Sequence, residues 1–425
     1  MSQTTPPPTL ASPLSLPSGQ RLDNRLAKSA MSERLADRDH APSEELERLY
    51  ERWGRGGTGL LITGNVMVDP RARGESGNVA IEDDRHLSAL TAWAKAAKQN
   101  GARLWMQINH PGRQSPRDLV PEPVSASAVP MTGIKRAVFA KPRALEPHEI
   151  EAIVERFATT AAVAERAGFD GVQIHGAHGY LISQFLSPLT NQRDDDWGGD
   201  AARRRRFAIE VARAVRAAVS PAFAVGIKLN SADFQRGGFT NDESVALVEA
   251  LDAEGLDLIE ISGGTYESAK MFEETVPTRE SSKRREAFFQ SYVEMVQDRV
   301  TTPLMLTGGL RTRAGMLDAM SSGVDVIGMA RPLALEPDLS ARLIDGRADS
   351  ARPVRLATGN KLLDSVIQGS WYQTQIDRMG QGLEPDADLG RLRPAARYFF
   401  SRQGTPLESK ANASRTTNRR PSAAA

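Results

Sequence analysis

The sequence predicts an α/β chain folded as a (β/α)8 TIM barrel, with a long loop after its third strand and disordered termini. Three observations carry that prediction. Short apolar runs alternate with longer segments of helical apolar spacing. There are eight such runs, the number that closes a barrel rather than leaving an open, doubly wound sheet. Capping residues and terminal glycines separate the segments.

The runs fall at 26–31, 59–65, 103–109, 170–175, 224–229, 257–262, 303–307 and 325–329. The first helix is placed from Glu44 to Gly54, with Ser43 as its cap and acids in the first turn, where the helix dipole favours them. Helices 84–100 and 147–167 are expected to close on Gly101 and Gly168 in the left-handed conformation. Thr240 and Glu243 have capping-box spacing. Segment 114–147, with Pro121, Pro123, Pro130 and Pro142, is long for a loop and is expected to act as a lid together with 265–285. Residues 1–19 and 401–425 are too polar to offset the entropy of ordering, which leaves one barrel with a C-terminal extension over 20–400.

Composition removes several functions. The chain has 425 residues, a formal net charge of +1 and no cysteine. A balanced charge gives no field to recruit nucleic acid or a membrane surface. The lack of cysteine excludes disulfides, thiolate-held clusters and thiol nucleophiles. No run approaches the roughly 20 apolar residues of a membrane span, and the N-terminus lacks the order of a secretory signal. A cytoplasmic location is expected. The basic tail (Lys410, Arg415, Arg419, Arg420) and the run Arg203–Arg206 read as solvated charge.

In a barrel, function sits in the loops after the strands. The fourth strand ends at His175, and His178 and Tyr180 follow closely, so three hydrogen-bond donors are grouped at one strand end. The competing interpretation is a pair of structural histidines above a packed tyrosine. Gly308 and Gly309 follow the seventh strand, and Ala330 and Arg331 follow the eighth. Backbone N–H groups with a fixed guanidinium suit a phosphate, although paired glycines also make simple turns. Lys228 ends the fifth strand, and an inward lysine is costly unless a negative group meets it. A surface lysine in a shifted register is the alternative. Gln107 can donate and accept in one plane, which suits a heterocycle with adjacent N–H and C=O groups, or it is an ordinary strand-end amide. Together these residues suggest a phosphate-bearing planar heterocycle, and FMN fits.

Over about 24–344 the chain resembles the old yellow enzyme family of NAD(P)H:flavin oxidoreductases. The resemblance rests on NRLAKSAMS at 24–32, Gln107 with His110-Pro-Gly-Arg113, HGAHGYLISQFLSPLTNQRDDDWGG at 175–199, and TGG with GVDVIGMARPL near the end. It implies FMN held with its phosphate at Gly308, Gly309, Ala330 and Arg331, and with Ala30, Met31 and Ser32 beside the ring. Asn65 and Gln107 would bond the pyrimidine edge, and Lys228 would lie near N1 and O2. His175 and His178 would bind the carbonyl oxygen of an α,β-unsaturated substrate. Hydride would come from flavin N5 and the proton from Tyr180, in a ping-pong cycle with NAD(P)H as reductant.

Some positions depart from the family pattern. Ser32 stands where Thr or Cys is usual, Asn65 where small residues are frequent, and Lys228 for the more frequent Arg. Glu33 and Arg34 occupy a region where some relatives place a pocket aromatic. Arg391, Arg393 and Arg397 are candidates to enter a neighbour's site in a homo-oligomer. Two rival functions stay open here: an FMN barrel dehydrogenase acting on an amine or other small molecule, and a cofactor-free barrel lyase or isomerase.

Overall fold

The computed structural model describes residues 7–262, 292–354, 356, 358–359, 361–391 and 394. The proposed 265–285 lid, the 401–425 tail, Arg393 and Arg397 lie outside them. The eight barrel strands are β1 Leu26–Lys28, β2 Leu60–Ile62, β3 Arg103–Asn109, β4 Gly171–Gly176, β5 Ala224–Asn230, β6 Leu258–Ser262, β7 Leu304–Thr307 and β8 Val326–Met329. Every neighbouring pair is parallel, and β8 pairs with β1 to close the ring.

Side chains alternate across a strand, so position parity sorts them between barrel interior and outer ring. Ala27, Leu60, Ile62, Trp105, Ala224, Leu258, Met305 and Val326 form an apolar interior cluster. The outward set packs against the surrounding helices. Ser43 caps helix Glu44–Gly54 and accepts from the Leu46 N–H. Both halves of the Thr240/Glu243 capping box are formed. Helix Pro147–Arg166 closes on Gly168, at φ +86°. The second helix is shorter than expected, Leu87–Ala97: His86 supplies no capping bond, and the chain already turns left-handed at Asn100. No described helix is long and apolar enough to cross a membrane.

Two expectations are corrected. The disorder assigned to 1–19 does not hold from residue 7 on. Strand Leu14–Ser15 pairs with Arg21–Leu22, and Leu16 and Leu22 enter the interior cluster. The Ser18 N–H donates to Asp257 (2.6 Å), and Gln20 bridges the Asp170 carbonyl and the Trp105 indole N–H. Two leucines plugging the N-terminal mouth of the barrel outweigh the polarity of the segment. Within 203–206, Arg203 is exposed as expected, but Arg204 does not belong to a solvated face. Arg204 is buried, donates to the Leu186 and Gly199 carbonyls and pairs with Glu243, while Arg206 stacks over Trp197.

Candidate active site

The C-terminal mouth of the barrel gathers most of the candidate residues. Gln107, His175, Lys228 and Thr307 share the inward parity of their strands, and all but Thr307 are fully buried. His175 and His178 lie edge-on, with ring centroids 5.1 Å apart, and His175 and Tyr180 lie 4.8 Å apart. The sharp turn that brings them together uses a left-handed backbone at His178 (φ +62°) and Gly179 (φ +78°). Asn230 accepts the His178 N–H (3.2 Å) and holds that turn against β5.

Hydrogen bonding fixes the tautomer of His175. The Ala177 N–H donates to His175 Nδ1 (3.2 Å), so the neutral ring carries its proton on Nε2. His178 Nε2 meets Ser262 Oγ at 3.0 Å. Burial, then the charges of His178 and Lys228, push His175 well below the ordinary histidine range; burial and Lys228 do the same to His178. Both rings are therefore neutral donors at physiological pH. His110, buried behind the site, is lowered to about 4. Because the unfolded chain binds these protons and the folded chain refuses them, stability falls as pH drops below about 6.5, by about 1.4 kcal/mol per pH unit for each histidine. The expected result is a clear drop in the denaturant midpoint from pH 7 to pH 5; equal midpoints would contradict it.

The loops after β1 and β2 meet beside this cluster. Asn65 Nδ2 approaches both Ser32 Oγ and the Tyr180 hydroxyl, each at 3.4 Å. Asn65 Oδ1 is buried with no hydrogen-bond partner among the described residues. Ala30, Met31 and Ser32 are partly exposed along the same edge.

Glu33 borders a small cavity with Arg34, Gly64 and Asn65. Its carboxylate is buried, accepts the Gly64 N–H (2.8 Å) and the Tyr50 hydroxyl, and pairs with Lys28 at 3.4 Å. Lys28 has outward parity and no exposure. It donates to Tyr50 (3.0 Å) and to the Ile62 carbonyl (2.7 Å), and sits over the Trp53 ring. Burial lowers its pKa to about 8 despite Glu33. Gly64 is required here, since a side chain would strike Glu33 and the Met31 carbonyl. Sequence reading missed this pin. Its parts lie on a strand, a loop and a helix, with no shared spacing to reveal them.

At the other end of the mouth, Gly309 is left-handed (φ +75°), and Ala330 opens helix Arg331–Leu335 without a side-chain cap. The helix after Gly309 begins only at Arg313 and is capped by Thr312, so the loop backbone, not that helix end, supplies donors. Gly328 has no room for a Cβ against the Thr307 and Ser29 hydroxyls, which bond each other at 2.7 Å. Arg331 Nη1 donates to Gln368 (3.1 Å) and lies over Tyr372. Both partners belong to helix Lys361–Gly380, whose Gln373 also donates to the Glu33 carbonyl (2.6 Å). This C-terminal helix thus touches both ends of the site, a role the sequence did not disclose.

Lys228 is not at the surface. It meets Glu260, which is fully buried on β6, at 2.8 Å. The negative group that an inward lysine needs is present in the protein itself. Gln107 Nε2 donates to Gln173 (2.7 Å) on β4. Neither Gln173 nor Glu260 was singled out from the sequence. The available signal was a polar residue at inward parity in an otherwise apolar strand.

The segment 114–147 is an ordered arm: its strands Val124–Ser125 and Arg143–Ala144 pair, and Arg113 donates to the Val129 and Pro130 carbonyls. Arg113 and Gln114 line a cavity with Gly179, Ser187 and Asp233 beside the histidine turn.

A planar phosphorylated heterocycle would find an amide acceptor, an inward glutamine and lysine, a glycine loop backbone and a guanidinium around this mouth. Residues 9–350 match the family described as NADH:flavin oxidoreductase / NADH oxidase. The NADH-dependent flavin oxidoreductase nadA of Aspergillus parasiticus is 40% identical over 364 residues, which cover 82% of this chain and 81% of that protein. A 2-naphthoyl-CoA reductase complex superposes with a TM-score of 0.72 at 26% identity, over 80% of this chain and 52% of that one. A morphinone reductase variant in complex with tetrahydroNAD gives 0.67 at 28%, over 81% and 92%. The chain therefore belongs to the NADH:flavin oxidoreductase / NADH oxidase family, that of old yellow enzyme, and is an oxidoreductase that uses FMN with NAD(P)H as reductant.

Proposed function

We propose that the protein is an ene-reductase, which reduces the activated C=C bond of α,β-unsaturated carbonyl compounds at the expense of NAD(P)H. The balanced reaction consumes one NAD(P)H, one proton and the alkene, and yields NAD(P)+ and the saturated carbonyl compound. The observation that carries this reading is the convergence of two neutral imidazoles and a phenol on one side of the mouth.

The His175 Nε2–H and His178 donate to a substrate carbonyl oxygen, which draws electron density from the conjugated alkene and makes its β-carbon electrophilic. FMN, when reduced, supplies the hydride equivalent for that carbon. The Tyr180 hydroxyl gives a proton to the α-carbon; a phenol with a reference pKa of about 10 stays protonated at neutral pH. Asn65 Nδ2 lies within 3.4 Å of that hydroxyl. Gln107, Asn65 and Lys228 bind the pyrimidine edge of the cofactor, and Ala30, Met31 and Ser32 flank its ring. Gly308, Gly309, Ala330 and Arg331 hold its phosphate, with Gln368 and Tyr372 steadying the guanidinium.

The deciding experiment treats NADH-reduced enzyme with 2-cyclohexenone under anaerobic conditions. Return of the oxidised flavin spectrum with formation of cyclohexanone is expected. If oxygen alone reoxidises it and no ketone forms, the reading falls. Separately, Arg331→Ala is expected to purify depleted of FMN, with affinity lower by at least about tenfold. Full occupancy, read from the ratio of flavin to protein absorbance, would move the phosphate site elsewhere.

A further inference from the structure

Four polar side chains from four adjacent strands form one hydrogen-bonded row across the barrel interior. Lys228 Nζ donates to Glu260 Oε1 at 2.8 Å. Gln173 Nε2 donates to Glu260 Oε2 at 2.6 Å. Gln107 Nε2 donates to Gln173 Oε1 at 2.7 Å. Glu260 is wholly buried and Gln173 almost so, and neither belongs to the set that meets substrate. A buried carboxylate at the centre of such a row is costly unless its placement is used.

The row has only one consistent direction. An ionised carboxylate accepts and never donates. Gln173 must therefore turn its NH2 toward Glu260, which leaves its carbonyl toward Gln107. Gln107 must answer with its own NH2, so its Oε1 is the end kept free for an outside donor. The carboxylate thus dictates, two residues away, that Gln107 offers an acceptor to a ring N–H. With its other oxygen it holds the Lys228 ammonium on the inward face of β5, and its charge offsets part of that cation.

Resting on the FMN-binding reading above, we infer that Glu260, acting through Gln173, is a positioning residue for Gln107 and Lys228 and moderates the electron affinity of the cofactor. Glu260→Gln has nearly the same shape but one acceptor and one donor, so it can satisfy Lys228 and Gln173 together only if both neighbouring glutamine amides turn over, which presents the Gln107 NH2 in place of its Oε1. It also removes a buried negative charge beside the lysine. Gln173→Met breaks the row without changing any charge.

The test uses the yellow holoenzyme and two titrations. One is the dissociation constant of FMN from apoprotein. The other is the dissociation constant of sulfite, an anion that adds to the oxidised ring and leaves a negative charge there. Glu260→Gln is expected to weaken FMN and to tighten sulfite, each by about tenfold, because one buried charge has been removed. Gln173→Met is expected to weaken FMN by a similar factor and to leave sulfite within about twofold of the parent, since no charge changes. A purely structural role would not produce that split. Unchanged FMN and sulfite constants in Glu260→Gln would overturn the inference. If that variant does not fold, unchanged FMN affinity in Gln173→Met overturns it instead. A parent protein that binds no FMN at all would sink the earlier reading rather than this one.

Discussion

Tyr180→Phe is expected to leave reduction of the bound flavin by NADH at its parent rate and to slow the alkene half-reaction by about 10²- to 10⁴-fold, the usual worth of a placed general acid. The asymmetry follows from chemistry. Hydride transfer from the nicotinamide needs no proton from the protein, whereas saturating an alkene needs one at the α-carbon. Phenylalanine keeps the ring that packs 4.8 Å from His175, so the histidine turn stays in place. Asn65 loses a partner at 3.4 Å, a weak bond with little effect on folding. Stopped-flow measurement of each half-reaction decides. Equal slowing of both would mean that Tyr180 shapes the site instead of delivering a proton.

Lys28→Ala is expected to destabilise the fold by about 3–5 kcal/mol, the cost of stranding one member of a buried ion pair. The substitution leaves Glu33 with Tyr50 and the Gly64 N–H but no cation, and opens a void against Trp53. Lys28→Met with Glu33→Gln is expected to recover much of that loss, because both charges leave together. The pair also predicts a pH window. The folded value of about 8 lies below the ordinary 10.5 for lysine, so between them the unfolded chain binds the extra proton. Stability therefore rises from pH 8 to 10.5, and this rise is absent from Lys28→Met. Denaturant titrations at pH 8 and 10 would check both claims; a single Lys28→Ala variant as stable as the parent would remove the pin from the account.

The strand positions were legible because each is an apolar run bounded by turn chemistry, and all eight occur where the sequence placed them. Their ends were less so. β1 stops at Lys28 instead of running to Met31, because the chain there leaves the ladder to line the mouth. The inward cluster His175, Gln107 and Lys228 was readable from its place at strand ends. Glu260 and Gln173 were not, since their importance arises from register: Lys228 stands opposite Glu260 and Gln107 opposite Gln173, and pairing across strands leaves no local mark. Helix Lys361–Gly380 escaped for a related reason. It lies past the end of the family match at residue 350, and its contacts to Arg331 and Glu33 join residues 37 and 340 positions apart. The N-terminal hairpin was misjudged because composition counts polar residues without knowing that Leu16 and Leu22 have a hole to fill.

That hairpin has a kinetic consequence. A cylinder stoppered at its floor admits traffic from one direction, so whatever delivers electrons and whatever receives them must arrive through the same doorway. Under the ene-reductase proposal the two visitors would take turns at that opening, and a surplus of either would hinder its counterpart.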